Sequence, residues 1–463
     1  MLDSNCTLRF QPLSDRGSQI FLHSENPESM SPFRLSLNDD AAPYKNASPV
    51  AADIIDLASA LHVADRAVPT RKENRREIGI ELPLRKPEEF SSNRELLQSS
   101  LRQCCVDRLR FAFSKRACPD DHFHQDQLPL EKNSYEVALF SGGLDSFAGL
   151  LQRARHTPDK NFALVGTGSN REDFGLQENV IKEFHRRIGS PRPILLQTRI
   201  HPENMEELPG TRNKRLRLRG MGFMLIGAAH AILLGEERLH VYENGVGALN
   251  LPFPGGDPRV DHTQAVHPNT LQKVSDFVSS IQGEPFEIRN PFLFSTKAEM
   301  CEALAPLSLS DIIAYTVSCD SRPREDYDCG RVRHCGSCSS CLLRRQALQS
   351  SSLRDETLYA SEILEGKSYH RKEDHFRAMR SQLNDIEKCL RQLDPWKALV
   401  KKYPSSLAYV SFPGNTETTK QKIVDLFRTY VAEWRKHGDG VGTELLKDAQ
   451  PKSAASSTAP PRP

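Results

Sequence analysis

Val137-Ala138-Leu139-Phe140, Ser141-Gly142-Gly143-Leu144-Asp145-Ser146 and Phe147-Ala148-Gly149-Leu150-Leu151 follow one another without interruption, and their reading decides the fold. The first apolar run predicts a buried strand, the glycine pair a turn and the second run a helix. A strand that turns on glycine into a helix directs backbone N–H groups and the positive helix end at an anion. The two glycines remove the Cβ atoms that would keep the backbone away from phosphate oxygens. Ser141 and Ser146 add hydroxyl donors, and Asp145 adds a carboxylate able to reach Mg2+. An ordinary glycine turn is the competing reading.

The GxxxxGK[ST] spacing of a Walker loop is absent here. Ser141-Gly142-Gly143-Leu144-Asp145-Ser146 instead resembles the PP-loop of the ATP pyrophosphatases, which cleave ATP between its α and β phosphates. These six residues are the candidate ATP-binding set. Apolar segments at about 136–140, 162–166, 193–198 and 239–242 predict strands, with helices between them that include the run from Met221 to Leu234. Strands alternating with helices predict an α/β fold, a doubly wound parallel sheet of the Rossmann-like type. The PP-loop resemblance implies the same architecture.

A second cluster, Cys335-Gly336-Ser337-Cys338-Ser339-Ser340-Cys341, overlaps two CxxC pairs, with Cys319 and Cys329 upstream. Thiolates at this spacing converge on one tetrahedral ion, and four sulfurs close the shell of a structural zinc. Disulfides compete with this reading, but 11 Cys in 463 residues is not the density of a small secreted scaffold. An iron–sulfur cluster is the other rival, since three close cysteines and a remote fourth also suit one.

Taken in order, the two motifs show a family. Thr316-Val317-Ser318-Cys319, the Cys335–Cys341 cluster and Leu342-Leu343-Arg344-Arg345-Gln346-Ala347 resemble the zinc-binding end of 7-cyano-7-deazaguanine synthase, QueC, and the resemblance spans about 135–350. It implies Cys319, Cys335, Cys338 and Cys341 as zinc ligands; the long interval before Cys335 leaves Cys329 or His334 as substitutes for Cys319. Arg215-Leu216-Arg217-Leu218-Arg219, Glu243-Asn244-Gly245, Leu249-Asn250-Leu251-Pro252, His267-Pro268 and Thr296-Lys297 make the chain similar to the QueC-like proteins of bacterial antiphage systems, the QatC type.

What the resemblance implies is a ligase using ATP, Mg2+ and zinc. Such an enzyme activates a deazapurine carboxylate, 7-carboxy-7-deazaguanine in QueC, as an acyl adenylate. Ammonia then displaces AMP to give an amide, which is activated again to the nitrile. A protein amine is a further candidate acceptor, because an activated acyl group reacts with whichever amine the site positions. Other antiphage-system proteins would then be partners.

The residues between the motifs take candidate roles. Arg217 and Arg219 precede a buried helix, where guanidinium groups clamp phosphate or carboxylate; a solvated basic run continuing from Arg212, Lys214 and Arg215 is the alternative. Glu243 and Asn244 end a strand, where open α/β sheets bind ligands; a hairpin or loop role for Asn244-Gly245 is the alternative. Lys297 follows Thr296, an apparent N-cap, and is a candidate phosphate contact, with a surface lysine in a first helical turn as the alternative. Asn250 offers an amide to a purine-like edge, or caps a loop. His267 is a ligand donor or a structural histidine. Gly166 opens Gly166-Thr167-Gly168-Ser169-Asn170-Arg171, which stands where QueC has a glutamine-rich segment, and completes the cofactor-binding candidates. Asp145, Ser146, Arg217 and Lys297 are the catalytic candidates.

Charge argues against a global nucleic-acid field, because 62 basic residues face 60 acidic ones and leave +2. No apolar run approaches the length of a membrane span and no signal-like start is present, so the cytoplasm is the expected compartment. The chain divides into an N-terminal α+β domain (1–130), the PP-loop domain (131–350, zinc module at 319–341), a helical C-terminal region (351–445) and a disordered tail (446–463). In the first, 51–68 predicts a helix and the alternations Ile78-Ile80-Leu82-Leu84 and Leu109-Phe111-Phe113 predict strands; Pro119–His124 marks a linker. In the third, Phe376, Met379, Leu383, Ile386, Leu390 and Leu393 form an apolar stripe, and Thr418–His437 a further helix.

Two other function classes stay open. One is another PP-loop enzyme, a tRNA-modifying thiolase or amide synthase, against which stands the lack of any cysteine between Cys118 and Cys301. The other is a nucleotide-binding scaffold for defence partners.

Overall fold

A computed structural model describes residues 5–12, 20–24, 35–37, 48–68, 75–116, 134–168, 171–188, 193–202, 216–254, 263–307, 309–320, 327–328, 331–359, 369–408, 410 and 416–438. The expected linker at 119–124, the basic residues Arg212 to Arg215, Cys329 and the tail lie outside the described residues.

The chain begins with β1 (Asn5–Pro12), β2 (Ile20–Ser24) and β3 (Leu35–Leu37), then α1 (Pro49–Ala67), β4 (Glu77–Leu84), α2 (Pro87–Ser92), α3 (Arg94–Cys104) and β5 (Arg108–Lys115). The central part runs β6 (Tyr135–Phe140), α4 (Leu144–His156), β7 (Asn161–Gly168), α5 (Arg171–Arg187), β8 (Ile194–Pro202), α6 (Arg219–Leu233), β9 (Arg238–Val241), α7 (Gly245–Leu249), α8 (Pro268–Gln282) and β10 (Glu287–Arg289). There follow α9 (Lys297–Glu302), α10 (Ser310–Ile313), a small hairpin β11 (Tyr327–Asp328) and β12 (Arg331–Val332), and α11 (Ser339–Ser350). The last helices are α12 (Tyr369–Leu390), α13 (Pro395–Lys402), α14 (Pro404–Leu407) and α15 (Thr416–Glu433).

Six strands form the central sheet in the order β10-β9-β6-β7-β8-β3. All neighbours are parallel except β3, which lies antiparallel along the outer edge of β8. Alternate residues divide between the two faces, as the two-residue strand period requires. Val137, Ala163, Val165 and Leu239 pack with α1, α6 and α8 on one face. Ala138, Phe140, Phe162 and Leu164 pack with α4, α5 and α10 on the other. Burial on both faces is why these strands read as continuous apolar runs. The parallel sheet expected from sequence is present, extended by β10 and β3, which were not foreseen.

The N-terminal strands form a second sheet, β2-β1-β4-β5, in which β1, β4 and β5 are parallel. Its core does not stop at residue 130. Ile54, Leu57 and Leu61 of α1 and Ile78, Ile80 and Leu82 of β4 share one hydrophobic cluster with Met221, Leu225 and Ala228 of α6. Buried ion pairs fasten the same region: Arg76, fully buried, holds Asp65 and Asp107, both at 2.7 Å. Arg217 reaches Asp107 at 2.8 Å.

The apolar stripe of α12 packs with α13, α14 and α15 against Leu249 of α7 and Leu342 of α11, so it is a core face. α12 ends at Leu390, however, and Leu393 beyond it is fully exposed. No helix among the described residues is long and apolar enough to cross a membrane.

Candidate functional site

The cleft lies beyond the carboxyl ends of β6 and β9. Chain order reverses there: β7 and β8 extend the sheet on one side of β6, and β9 and β10 on the other. Crevices at such switch points bind ligands in open α/β sheets. This one has a volume of about 1180 Å³ and is lined by the turn after β6, the start of α4, the segment after β9, and residues flanking the cysteine cluster.

The turn is built as its residues require. Gly142 adopts φ +75°, a conformation that a side chain disfavours. Gly143 caps α4 without any side-chain hydrogen bond, which leaves the first N–H groups of the helix to the cleft. Ser141 Oγ accepts from Gly143 N–H at 3.2 Å, and Ser146 Oγ donates to Gly143 O at 3.0 Å. The two hydroxyls are 3.3 Å apart. Leu144, Asp145 and Ser146 face the cleft from the first turn of α4.

Three side chains from two further segments gather around Asp145. Lys297, the first residue of α9, forms an ion pair with its Oδ2. Asn244 Nδ2 donates to Asp145 Oδ1 at 3.2 Å and to Glu243 Oε1 at 2.8 Å, while its Oδ1 caps α7 by accepting from Gly247 N–H at 2.9 Å. Burial, and then the Asp145 carboxylate, push the Glu243 carboxyl up to about 8, against the opposing pull of Lys297. Burial works against the charge of Lys297, but Asp145 and Glu243 outweigh it and hold the ammonium above its ordinary value. Thr296 and Glu299 close a capping box at the start of α9, which fixes where Lys297 points. Thr296 Oγ1 in turn donates to Glu433 Oε1 of α15 at 2.5 Å, so the C-terminal helices support the site.

Other candidates sit differently. Arg219 lines the cleft and is exposed. Arg217 is only 2% exposed and its guanidinium is committed to Asp107, which makes it part of the frame instead of a clamp for phosphate. Asn250 also reaches the cleft, in a left-handed conformation that ends α7, with Nδ2 donating to Thr263 O at 3.0 Å. His267 is a structural histidine: Nδ1 caps α8 by accepting from Asn269 N–H, and Nε2 donates to Ser406 O at 2.9 Å. Gly166 abuts the buried side chain of Gln177, where a Cβ would come within 2.3 Å of Oε1, and does not line the cleft.

Cys319, Cys335, Cys338 and Cys341 bring four sulfurs within 4.8 Å of one another. Cys335 Sγ and Cys341 Sγ are 3.8 Å apart, the separation that two Zn–S bonds of about 2.3 Å at a tetrahedral angle give. Backbone N–H groups of Cys335 and Cys338 donate to Cys319 Sγ and Cys335 Sγ, each at 3.3 Å, as thiolates need. The donor set therefore fits zinc. His334 lies outside it, stacked edge-on against Tyr359.

The cysteine knuckle also forms part of the cleft. Val317 N–H donates to Gly142 O at 3.0 Å, and Ser318, Asp320, Ser339 and Ser340 line the wall. Arg344, fully buried, ties this segment to α11 through Ile313 O, Thr316 Oγ1 and Ser318 Oγ. Sequence reading passed over Val317 and Arg344 as residues of the site. It also left out Arg66 of α1, which lines the cleft from the N-terminal region. Nothing local marks Arg66; only the packing of α1 on α6 brings it there.

Comparison with known proteins agrees with this geometry. The family described as "Queuosine biosynthesis protein QueC" matches residues 260–352, from before α8 to the end of α11. The 7-cyano-7-deazaguanine synthase of Hahella chejuensis (strain KCTC 2396) is 24% identical over 239 residues, 49% of this chain and 93% of that protein. That of Pyrococcus furiosus is 25% identical over 245 residues, 48% of this chain and 96% of that protein. That of Rhizorhabdus wittichii is 25% identical over 241 residues, with 48% and 95% covered. The chain thus carries a QueC family domain and is similar, at low identity, to proteins of that name.

Proposed function

We propose that this chain is an ATP-dependent carboxylate–amine ligase of the QueC kind, acting on a 7-carboxy-7-deazaguanine-type acid. The observation that carries the reading is the meeting, in one cleft, of the uncapped α4 N-terminus with Asp145, Lys297, Glu243 and Asn244. The α4 N–H groups and the two serines suit the phosphate chain. A substrate carboxylate oxygen attacks the α phosphorus, the bond to the bridging oxygen breaks, and pyrophosphate leaves on the positive helix end. An amine nitrogen then attacks the acyl carbon and AMP departs with the C–O electron pair.

Glu243, whose carboxyl burial and then Asp145 push up to about 8, is the base proposed to take the proton that the amine loses. Lys297 is placed to neutralise charge building on the α phosphate. Carboxylate oxygens are the ligands Mg2+ prefers, and Asp145 would hold it against the phosphates. Four thiolates would leave zinc no open position, so its contribution is structural. The acceptor is proposed to be ammonia or a protein amine, and the setting a cytoplasmic antiphage system; the resemblance of the motifs from Arg215 to Lys297 supports this part.

The test is mass spectrometry of products formed from ATP, Mg2+ and 7-carboxy-7-deazaguanine, alone, with ammonium, and with candidate partner proteins. AMP together with an amide, a nitrile or a protein adduct supports the reading and identifies the amine. Absence of AMP under all three conditions overturns it.

A further inference from the structure

Arg66 stands in the last turn of α1 and Arg219 is the first residue of α6, and both line the cleft. They lie close enough for each charge to act on the other. Among the described residues neither is in an ion pair, and Arg66 Nε is buried without a hydrogen-bond partner. The nearby Asp65 carboxylate is already taken by Arg76 and by the N–H groups of Arg217 and Leu218. Burial, relieved by Asp65 and less by Asp173 but reinforced by Arg219, lowers the proton affinity of the Arg66 guanidinium below its ordinary value. Leu218 gives α6 no side-chain cap, so the positive end of a 15-residue helix adds to the same corner.

Asp65 and Asp173 offset part of this charge from nearby without forming an ion pair with either arginine among the described residues, so both guanidinium forks stay open to a ligand, and that planar fork matches a carboxylate or a phosphoryl group. Room exists for this second anion: the cleft, at about 1180 Å³, exceeds the roughly 300–1,000 Å³ usual for one small ligand. We propose that Arg66 and Arg219 form a second oxyanion subsite of the cleft, separate from the Ser141–Ser146 loop and built in part by the N-terminal region. Its chemistry is that of a carboxylate or a phosphoryl oxyanion. Assigning it to the acyl substrate rests on the ligase reading, whereas the affinity for an anion does not.

The zinc-loaded full chain, with Arg66→Gln, Arg219→Gln and Arg66→Lys variants, is titrated calorimetrically with 7-carboxy-7-deazaguanine, Mg-ATP and pyrophosphate. Each Gln variant is expected to weaken the carboxylate about tenfold while Mg-ATP stays within about twofold, and Arg66→Lys to recover part of the loss, since it keeps the charge but not the fork. Weakening of Mg-ATP and pyrophosphate instead, with the carboxylate retained, supports the subsite and identifies its ligand as a phosphoryl group. Arg219 is exposed, so its variant folds and carries the test even where Arg66→Gln does not. Unchanged affinity for all three ligands in Arg219→Gln overturns the proposal. Arginine-dependent binding of pyrophosphate by a wild type that neither binds the carboxylate nor forms AMP keeps the subsite and removes the ligase reading.

Discussion

Replacing Arg344 by Met keeps the length of the side chain and removes a buried charge. The guanidinium donates from Nε to Thr357 Oγ1 at 2.9 Å, from Nη1 to Thr316 Oγ1 at 2.8 Å and Ser318 Oγ at 3.2 Å, and from Nη2 to Ile313 O at 2.7 Å. Hydrogen bonds from a charged donor contribute about 1.5–3 kcal/mol each, so four at the low end amount to about 6 kcal/mol. Met recovers the desolvation that burying the guanidinium costs, several kcal/mol, which leaves a net loss of about 3 kcal/mol. A second loss concerns charge. No carboxylate pairs with Arg344 among the described residues, while four thiolates around a divalent ion carry a negative excess that a cation one helical turn beyond Cys341 offsets. Zinc affinity should therefore fall about 10- to 100-fold, the range for residues that support metal ligands. Urea unfolding of the zinc-loaded protein and competition with a chromophoric chelator read the two quantities. A stability loss below about 1 kcal/mol with unchanged zinc affinity would refute the assignment of Arg344 as the pin of the knuckle.

Asp145→Ala should abolish AMP formation while zinc content stays at the wild-type level; normal turnover would remove the PP-loop reading. Cys338→Ser should lose zinc and lower the melting temperature before any change in chemistry is measured, and a variant that keeps both would show that the four sulfurs do not act together. Stability should also depend on pH with a definite sign. Glu243 and Glu433 hold protons up to about 8 and about 7 in the folded chain, chiefly because burial disfavours their charge, whereas unfolded Glu releases them near 4.5. The folded state then binds more protons across that window, so stability falls as pH rises from about 4.5 to 8 and levels off above. Urea midpoints at several pH values should show this decline reduced in Glu243→Gln; an equal decline in both proteins would contradict the burial assigned to Glu243.

The parts of the fold legible in the sequence are those whose cause is local. Val137–Phe140 followed by Gly142-Gly143 specifies a strand, a turn and a helix within fifteen residues, and the close cysteines specify their own convergence. β10 and β3, three residues each, are too short to show a period. The α1 acids Asp53, Asp56 and Asp65 are buried because Arg85, Arg116 and Arg76 arrive from other elements, which no local pattern in α1 announces. Arg217 misled for the same reason, and the two readings of His267 could not be separated, since the partners that commit them, Asp107 and Ser406, lie more than a hundred residues away. Arg66 is the converse case, an unremarked helical arginine that tertiary packing delivers to the cleft.

The hydrogen bond from Val317 N–H to Gly142 O has a consequence for the birth of the chain. Synthesis proceeds at about 5–20 residues per second, so the loop leaves the ribosome on the order of ten seconds or more before its partner. During that interval the strand and helix around the loop can form, but the carbonyl that shapes its floor has only water to bind. That carbonyl finds its partner only when the segment leading into the four cysteines has emerged and folded back. On the ligase reading proposed above, a chain cut short before Cys341, or starved of metal, would have an incomplete cleft and would spend no ATP without product.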